Sequence, residues 1–151
     1  MDTMVEHPQH YQSSCGLEVI EVIDIATKNL VGIEAVDTGN AIKYLCRWKK
    51  KNGLQDLEKA DWYIRHLIRK VNKNHETQRN CNFYLLNIIK AFTEHLNDQF
   101  EAEHTGKILE IMCMWSCENY TKEINNLKTA HIMLKDLIKY EMNIVKEKKD
   151  E

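Results

Sequence analysis

Apolar residues recur along most of this chain at intervals of three and four, the spacing that lines up one face of an α-helix. Leu17 to about Asn29 alternates apolar and acidic positions in this way and predicts a first helix. Gly32 and the cluster Asp37-Thr38-Gly39-Asn40 predict a loop and then a cap for a second helix running to about Lys51, closed by Asn52-Gly53. A third helix is predicted from about Leu54 to Val71, with Leu57, Ala60, Ile64, Leu67, Ile68 and Val71 on one stripe. A polar stretch, Asn72 to Asn82, follows. Helices are then predicted over Phe83 to Phe100, Ile108 to Tyr120 and Ile124 to Lys149, the last with Ile124, Leu127, Leu134, Ile138 and Val145 facing inward. Met1 to Gly16 is polar, holds the single proline, Pro8, and reads as an irregular arm. The expected fold is therefore an all-α, small helical bundle of about five to six helices with an N-terminal irregular arm. Residues 1–73 form one module. Residues 74–151 form a helical extension, either packed on it as one globular unit or used in oligomerisation.

Composition narrows this picture. Hydrophobic residues make up 43% and charged residues 29% of the 151 residues, with 1 Pro and 5 Gly. That is enough apolar material for a core and too few turn residues for many strands. The formal net charge of -2 is unevenly spread. Residues 1–40 hold seven acidic side chains against Lys28, whereas residues 41–73 hold ten Lys or Arg against Asp56, Glu58 and Asp61. One concentrated basic segment points to a local anion site more than to a nucleic-acid coat. Contact with RNA or DNA is the weakest of the readings. The cysteines, 5 in number, form no CxxC pair and follow an acidic, polar start, which predicts free thiols and a cytoplasmic setting. No apolar run reaches the length of a membrane span, so no membrane partner is expected. The segment Ile108 to Tyr120 is apolar almost all round and needs cover, which predicts a homo-oligomer.

The predicted second helix carries the sharpest chemistry. At 100° per residue, Lys43, Tyr44, Arg47, Lys50 and Lys51 share one arc, while Ala41, Ile42, Leu45, Cys46 and Trp48 share the other; Lys49 alone breaks the partition. If this helix starts at Thr38-Gly39-Asn40, free amides and a positive dipole end lie beside the same cations. Phosphate suits such a place: Arg offers a planar fork, Lys a movable charge, and amides fix geometry. A solvated basic face is the alternative.

Other candidates are less specific. His7, His10, Tyr11 and the Ser13-Ser14 hydroxyls of the arm suit stacking and hydrogen bonding to a ligand, or else Tyr11 merely anchors the arm. No third ligand accompanies the two imidazoles, so no metal site is expected. Glu18, Glu21 and Asp24 could recruit Mg²⁺ with a nucleotide, but Asp24 reads better as a salt partner of the cationic face. Asp56, Lys59 and Tyr63 share a face of the third helix, with Trp62 read as core. Cys113 and Cys117 read as buried small hydrophobes. A GxxxxGK[ST] loop is absent, which excludes P-loop chemistry.

The run His7-Pro-x-His10-Tyr11, then Gly16-x-Glu18-x-Ile20 and Asp24, resembles the SaV-like phage domain. So do Gly39-Asn40-Ala-Ile-Lys43-Tyr44-Leu-x-Arg47 and Lys51-x-Gly53-x-x-Asp56-Leu-x-Lys59-Ala-x-Trp62-Tyr63. The match covers about residues 7 to 70. That family includes a T7-type phage nucleotide kinase without a P-loop. The resemblance implies a bacteriophage protein acting in the cytoplasm of the infected host, and a shared ligand site at His10, Tyr11, Asn40, Lys43, Tyr44 and Arg47. The expected function is binding of a nucleotide or nucleotide-derived small molecule, in the manner of a deoxynucleoside monophosphate kinase. Lys43, Arg47 and Lys50 would meet phosphates, the Gly39 and Asn40 amides would orient them, and, if the protein is a kinase, Glu18 or Asp24 would recruit Mg²⁺ and ATP. The alternative is a non-enzymatic anti-defence sponge that sequesters a nucleotide-derived host immune signal.

Overall fold

The protein, seen in a computed structural model, is described over residues 3–71 and 84–151. Among the described residues, a one-turn helix, α1 (Thr3–Glu6), and a 3-10 turn (Gln9–Tyr11) precede six longer helices. These are α2 (Val19–Thr27), α3 (Ile33–Arg47), α4 (Leu54–Lys70), α5 (Tyr84–Thr93), α6 (Gln99–Met114) and α7 (Tyr120–Asp150). The fold is an all-α bundle. The boundary expected at residues 73 and 74, and the polar stretch around it, lie outside the described residues.

Local signals explain most of the helix ends. At the start of α2, the Glu18 side chain accepts from a backbone N–H of the first turn while Glu21 Oε2 accepts from Glu18 N at 2.6 Å. This reciprocal cap satisfies two otherwise orphaned amides. Helix α3 begins seven residues before Asn40, which corrects the expected start near Gly39-Asn40. The true start is Gly32, whose φ of 60° is a left-handed conformation that side chains disfavour. The predicted helix Phe83 to Phe100 is also broken. Helix α5 ends at Thr93, and Asp98 starts α6 by accepting from Glu101 N at 3.0 Å. Periodicity ran through this break because apolar residues continue on both sides of it. Asn119 caps α7 in the same way, accepting from Lys122 N at 3.1 Å.

Helices α3 and α4 pack against each other, with α6 and α7 laid across them and α2 on the flank of α3. Ile42, Leu45, Leu57, Ile64 and Leu67 meet Ile108, Leu109, Met112, Leu127 and Leu134 in a continuous core. Each such aliphatic side chain stabilises the fold by about 1.5–3 kcal/mol relative to exposure. Helices of the same chain cover Ile108, Leu109, Met112 and Cys113 of the apolar segment, while Ile111 and Met114 stay partly buried. Two tryptophans join the N-terminal and C-terminal helices reciprocally. Trp48 Nε1 donates to Thr105 Oγ1 at 3.2 Å, and Trp115 Nε1 donates to Thr38 Oγ1 at 3.0 Å. All four residues are buried.

Three further expectations are corrected. Trp62, read as core, is exposed because it lies outside the stripe that α4 turns inward. Cys117 is disulfide-bonded, whereas Cys15, Cys46 and Cys113 are free. Val145 is exposed, since burial along α7 ends near Glu141. Among the described residues no helix is long and apolar enough to cross a membrane.

Candidate functional site

The arm is an ordered structure folded on itself. Tyr11 N donates to Pro8 O at 3.0 Å, closing the 3-10 turn, and Gln12 Nε2 donates to His7 O at 2.9 Å. Gln12 and Glu18 form an isolated antiparallel bridge, and Ser13 Oγ donates to Leu17 O at 2.6 Å. Three side-chain bonds then fasten the arm to the bundle. Arg47 Nη1 donates to Tyr11 Oη at 2.6 Å, Lys50 Nζ donates to Gln12 O at 3.2 Å, and Ser14 Oγ donates to Glu94 Oε2 at 2.6 Å. Of the two readings of Tyr11, anchoring is the one this geometry supplies.

Arg47 holds that anchor because Asp56 holds Arg47. Nε and Nη2 of the guanidinium donate to the two Asp56 oxygens, each at 3.1 Å. Asp56 is wholly buried and also accepts from Asn52 N and Asn52 Nδ2. Burial alone would lower the Arg47 pKa, but its hydrogen bonds to Asp56 and Tyr11 outweigh that and leave it raised. The guanidinium is therefore a permanent cation committed to two partners, where the sequence assigned it to a phosphate. Asp56 follows Arg47 by one tight turn, and it precedes the buried Leu57 and Ala60. A carboxylate at the edge of a buried stripe was the available signal for this pairing.

The Gly39 and Asn40 amides change role for a related reason. Both residues lie in the middle of α3, so their N–H groups belong to the helix ladder and cannot form an anion-binding helix start. Gly39 serves close packing instead. A β-carbon placed there would come within 3.0 Å of Ile23 Cγ2 on α2.

Lys43 is positioned from both sides. Its Nζ donates to Asn40 Oδ1 at 3.0 Å and sits 4.3 Å from the centre of the Tyr44 ring. Tyr44 stacks on Tyr63 with ring centres 6.0 Å apart and also receives Arg47 at 4.8 Å and Lys59 at 5.5 Å. One ring thus organises three cations, an arrangement favoured by its negative face. An ammonium has three donors, and the bond to Asn40 uses one of them.

Lys43 lines an open pocket of about 260 Å³ between the arm and helix α2. Tyr11, Glu6 and Glu18 line it as well, and Val5, Pro8, Val19, Ile20 and Ile23 supply an apolar wall, of which Val5 and Ile20 are largely exposed. Three side chains singled out from the sequence, on three separate segments, thus reach one pocket. The other expected residues do not line it. Asp24 is exposed and makes no ion pair among the described residues, which corrects its reading as a salt partner. Glu18 is engaged by the α2 cap and by His7 Nδ1 at 2.8 Å. The His10 ring lies against Tyr11 at a tilt of 56°, with ring centres 4.1 Å apart, and its Nε2 is buried with no partner among the described residues. Burial, then the charges of Lys51 and Arg47, hold the His10 imidazole below its ordinary pKa. Among the described residues no group of three or more His, Cys, Asp or Glu is placed to hold a metal ion.

Polar clusters outside this cavity went unread in the sequence. His66 Nδ1 pairs with the buried Asp37 at 2.6 Å, and His131 Nδ1 pairs with Asp61 at 2.6 Å. Lys49 reaches Glu101 at 2.6 Å and Glu141 at 3.8 Å. Each pair spans 29 or more positions, so no local pattern announces it.

No curated protein and no solved structure matches this chain. Residues 5–65, which carry the arm, α2, α3 and all the side chains lining the cavity, match the model of a family described as a protein of unknown function, DUF3310.

Proposed function

We propose that this protein binds a phosphorylated nucleotide or nucleotide-derived small molecule in the cavity between the arm, α2 and α3. The observation that carries the reading is the convergence of Lys43, Tyr11 and Glu18 on one open pocket with an apolar wall. Lys43 supplies the charge for a phosphate oxygen, and the wall of Pro8, Val19, Ile20 and Ile23 takes a base or sugar face. The resemblance of the arm and α3 motifs to the SaV-like phage family supports a nucleotide as the ligand class. Binding without turnover is the form of this function that the geometry favours. Of the two carboxylates expected to recruit Mg²⁺, Glu18 is engaged by a helix cap and His7, and Asp24 is not among the cavity residues. Phosphoryl transfer from ATP is the second reading, and it rests on the resemblance alone.

Calorimetric titration of the purified chain with nucleosides and their 5′-monophosphates tests this. The phosphorylated members should bind, and Lys43→Met should weaken them by about 10–100-fold, the equivalent of about 1.5–3 kcal/mol for a hydrogen bond to a charged group. Saturable binding that ignores the phosphate, or its absence across the panel, would remove the proposal. Incubation with ATP and Mg²⁺, followed by denaturation and mass spectrometry, separates capture from turnover. A captured ligand returns unchanged.

A further inference from the structure

Away from the cavity, a second cluster of ionisable groups lies where the end of α3 meets α6 and α7. Glu101 of α6 and Glu141 of α7 are 2% and 7% exposed, so two carboxylates are buried side by side. A single ammonium serves both. Lys49, in the 3-10 turn Trp48–Lys50, donates to Glu101 Oε1 at 2.6 Å but lies 3.8 Å from Glu141 Oε2. Glu141 Oε1 has no partner among the described residues. The other groups facing the cluster do not mend this shortage of charge. Asp98, at the start of α6, is acidic and accepts from Tyr140 Oη at 2.8 Å. The His95 imidazole is held below its ordinary pKa by burial and by Lys50, partly opposed by Glu101, and its Nε2 is buried and unpartnered. Two ionised carboxylates beside one ammonium in such a place would leave one charge without compensation.

We propose that Lys49, Glu101 and Glu141 form a proton-operated clamp in which a proton shared between the two carboxyls fastens α7 to α6 and to the end of α3. Protonated Glu141 donates to Glu101, Glu101 keeps its negative charge for Lys49, and every charge is matched. Loss of that proton sets two like charges against each other inside the interface. Burial first, then the bond to Glu101 and its charge, raise the Glu141 carboxyl to about 7, so the clamp works near neutrality. The direction follows from linkage. A carboxyl whose folded pKa is raised makes its full contribution to stability below its unfolded value, and loses it as pH rises through the folded value. For Glu141 that window runs from 4.5 to about 7. The clamp tightens in acid and loosens in alkali, independently of any ligand in the arm cavity.

Equilibrium unfolding of the full chain in urea, from about pH 5 to about pH 8, compares wild type with Glu141→Gln. Glutamine keeps the shape of the protonated acid without its titration. The histidines and other carboxylates are common to both proteins, so the difference between their two pH profiles isolates Glu141. The wild-type folding equilibrium should weaken relative to the variant by up to about tenfold per pH unit across the window, leaving the variant the more stable in alkali. Parallel pH profiles would overturn the proposal. Carbon NMR of the Glu141 carboxyl gives a second decision that does not depend on the variant folding. A midpoint near neutrality, shifted down by Glu101→Gln, is expected, and a midpoint in the ordinary carboxylate range would overturn the clamp.

Discussion

The Arg47 guanidinium and the Tyr11 hydroxyl are 36 positions apart in sequence and 2.6 Å apart in space. Through this bond the arm is tied to α3, and through Asp56 it is tied to α4, so one of the three ties of the arm depends on a buried ion pair. Asp56→Asn removes one partner of that pair and leaves a buried guanidinium uncompensated. It should destabilise the protein by about 3–5 kcal/mol, measured by urea unfolding. Tyr11→Phe removes only the outermost bond and should cost about 1 kcal/mol. In this second variant, amide exchange should accelerate in residues 9–12 before it does so in α3 or α4. Uniform acceleration would show that the arm is not separately held.

Trp115 and Thr38 test the joint between the two halves of the chain. The Trp115 indole N–H has Thr38 Oγ1 as its acceptor, and the pair is 1% and 0% exposed. Thr38→Val keeps the branched shape and deletes that acceptor. A loss of about 0.5–1.5 kcal/mol is expected for one buried hydrogen bond, read as a lower urea midpoint with unchanged slope. Trp115→Phe, alone and combined with Thr38→Val, completes a double-mutant cycle, in which a coupling energy near zero would mean that this bond does not join the halves.

Gly39→Ala separates packing from helix propensity. In an exposed helix this change stabilises by about 1 kcal/mol. Here the added β-carbon would lie 3.0 Å from Ile23 Cγ2, so α2 or the Ile23 side chain must yield. The expected net result is a loss of about 1 kcal/mol. The loss should shrink in an Ile23→Ala background, where the obstructing methyl is absent. A cost unchanged by Ile23→Ala would mean that the contact is not what the glycine serves.

What the sequence by itself determined is the helical class, most of the elements and most of their inward faces. The stripe Leu57, Ala60, Ile64 and Leu67 is buried as its 3.6-residue period requires, and so are Ala41, Ile42, Leu45 and Trp48. Such periodicity is local, because the side a helix buries follows from which of its own residues avoid water. Ends marked by a cap within four residues are legible for the same reason: Gly32 signals the loop before α3, and Asp98 is a cap residue ahead of α6. The tertiary structure alone decided which charges face solvent. Arg47 sits on the polar arc of its helix and is nonetheless buried, because Asp56 and Tyr11 come to it from other segments. Lys43, four residues earlier on the same arc, stays at the wall of a cavity because Asn40 and the Tyr44 ring hold it there. Whether a cation meets a ligand, a carboxylate or water depends on partners distant in sequence, and helical spacing carries no record of them.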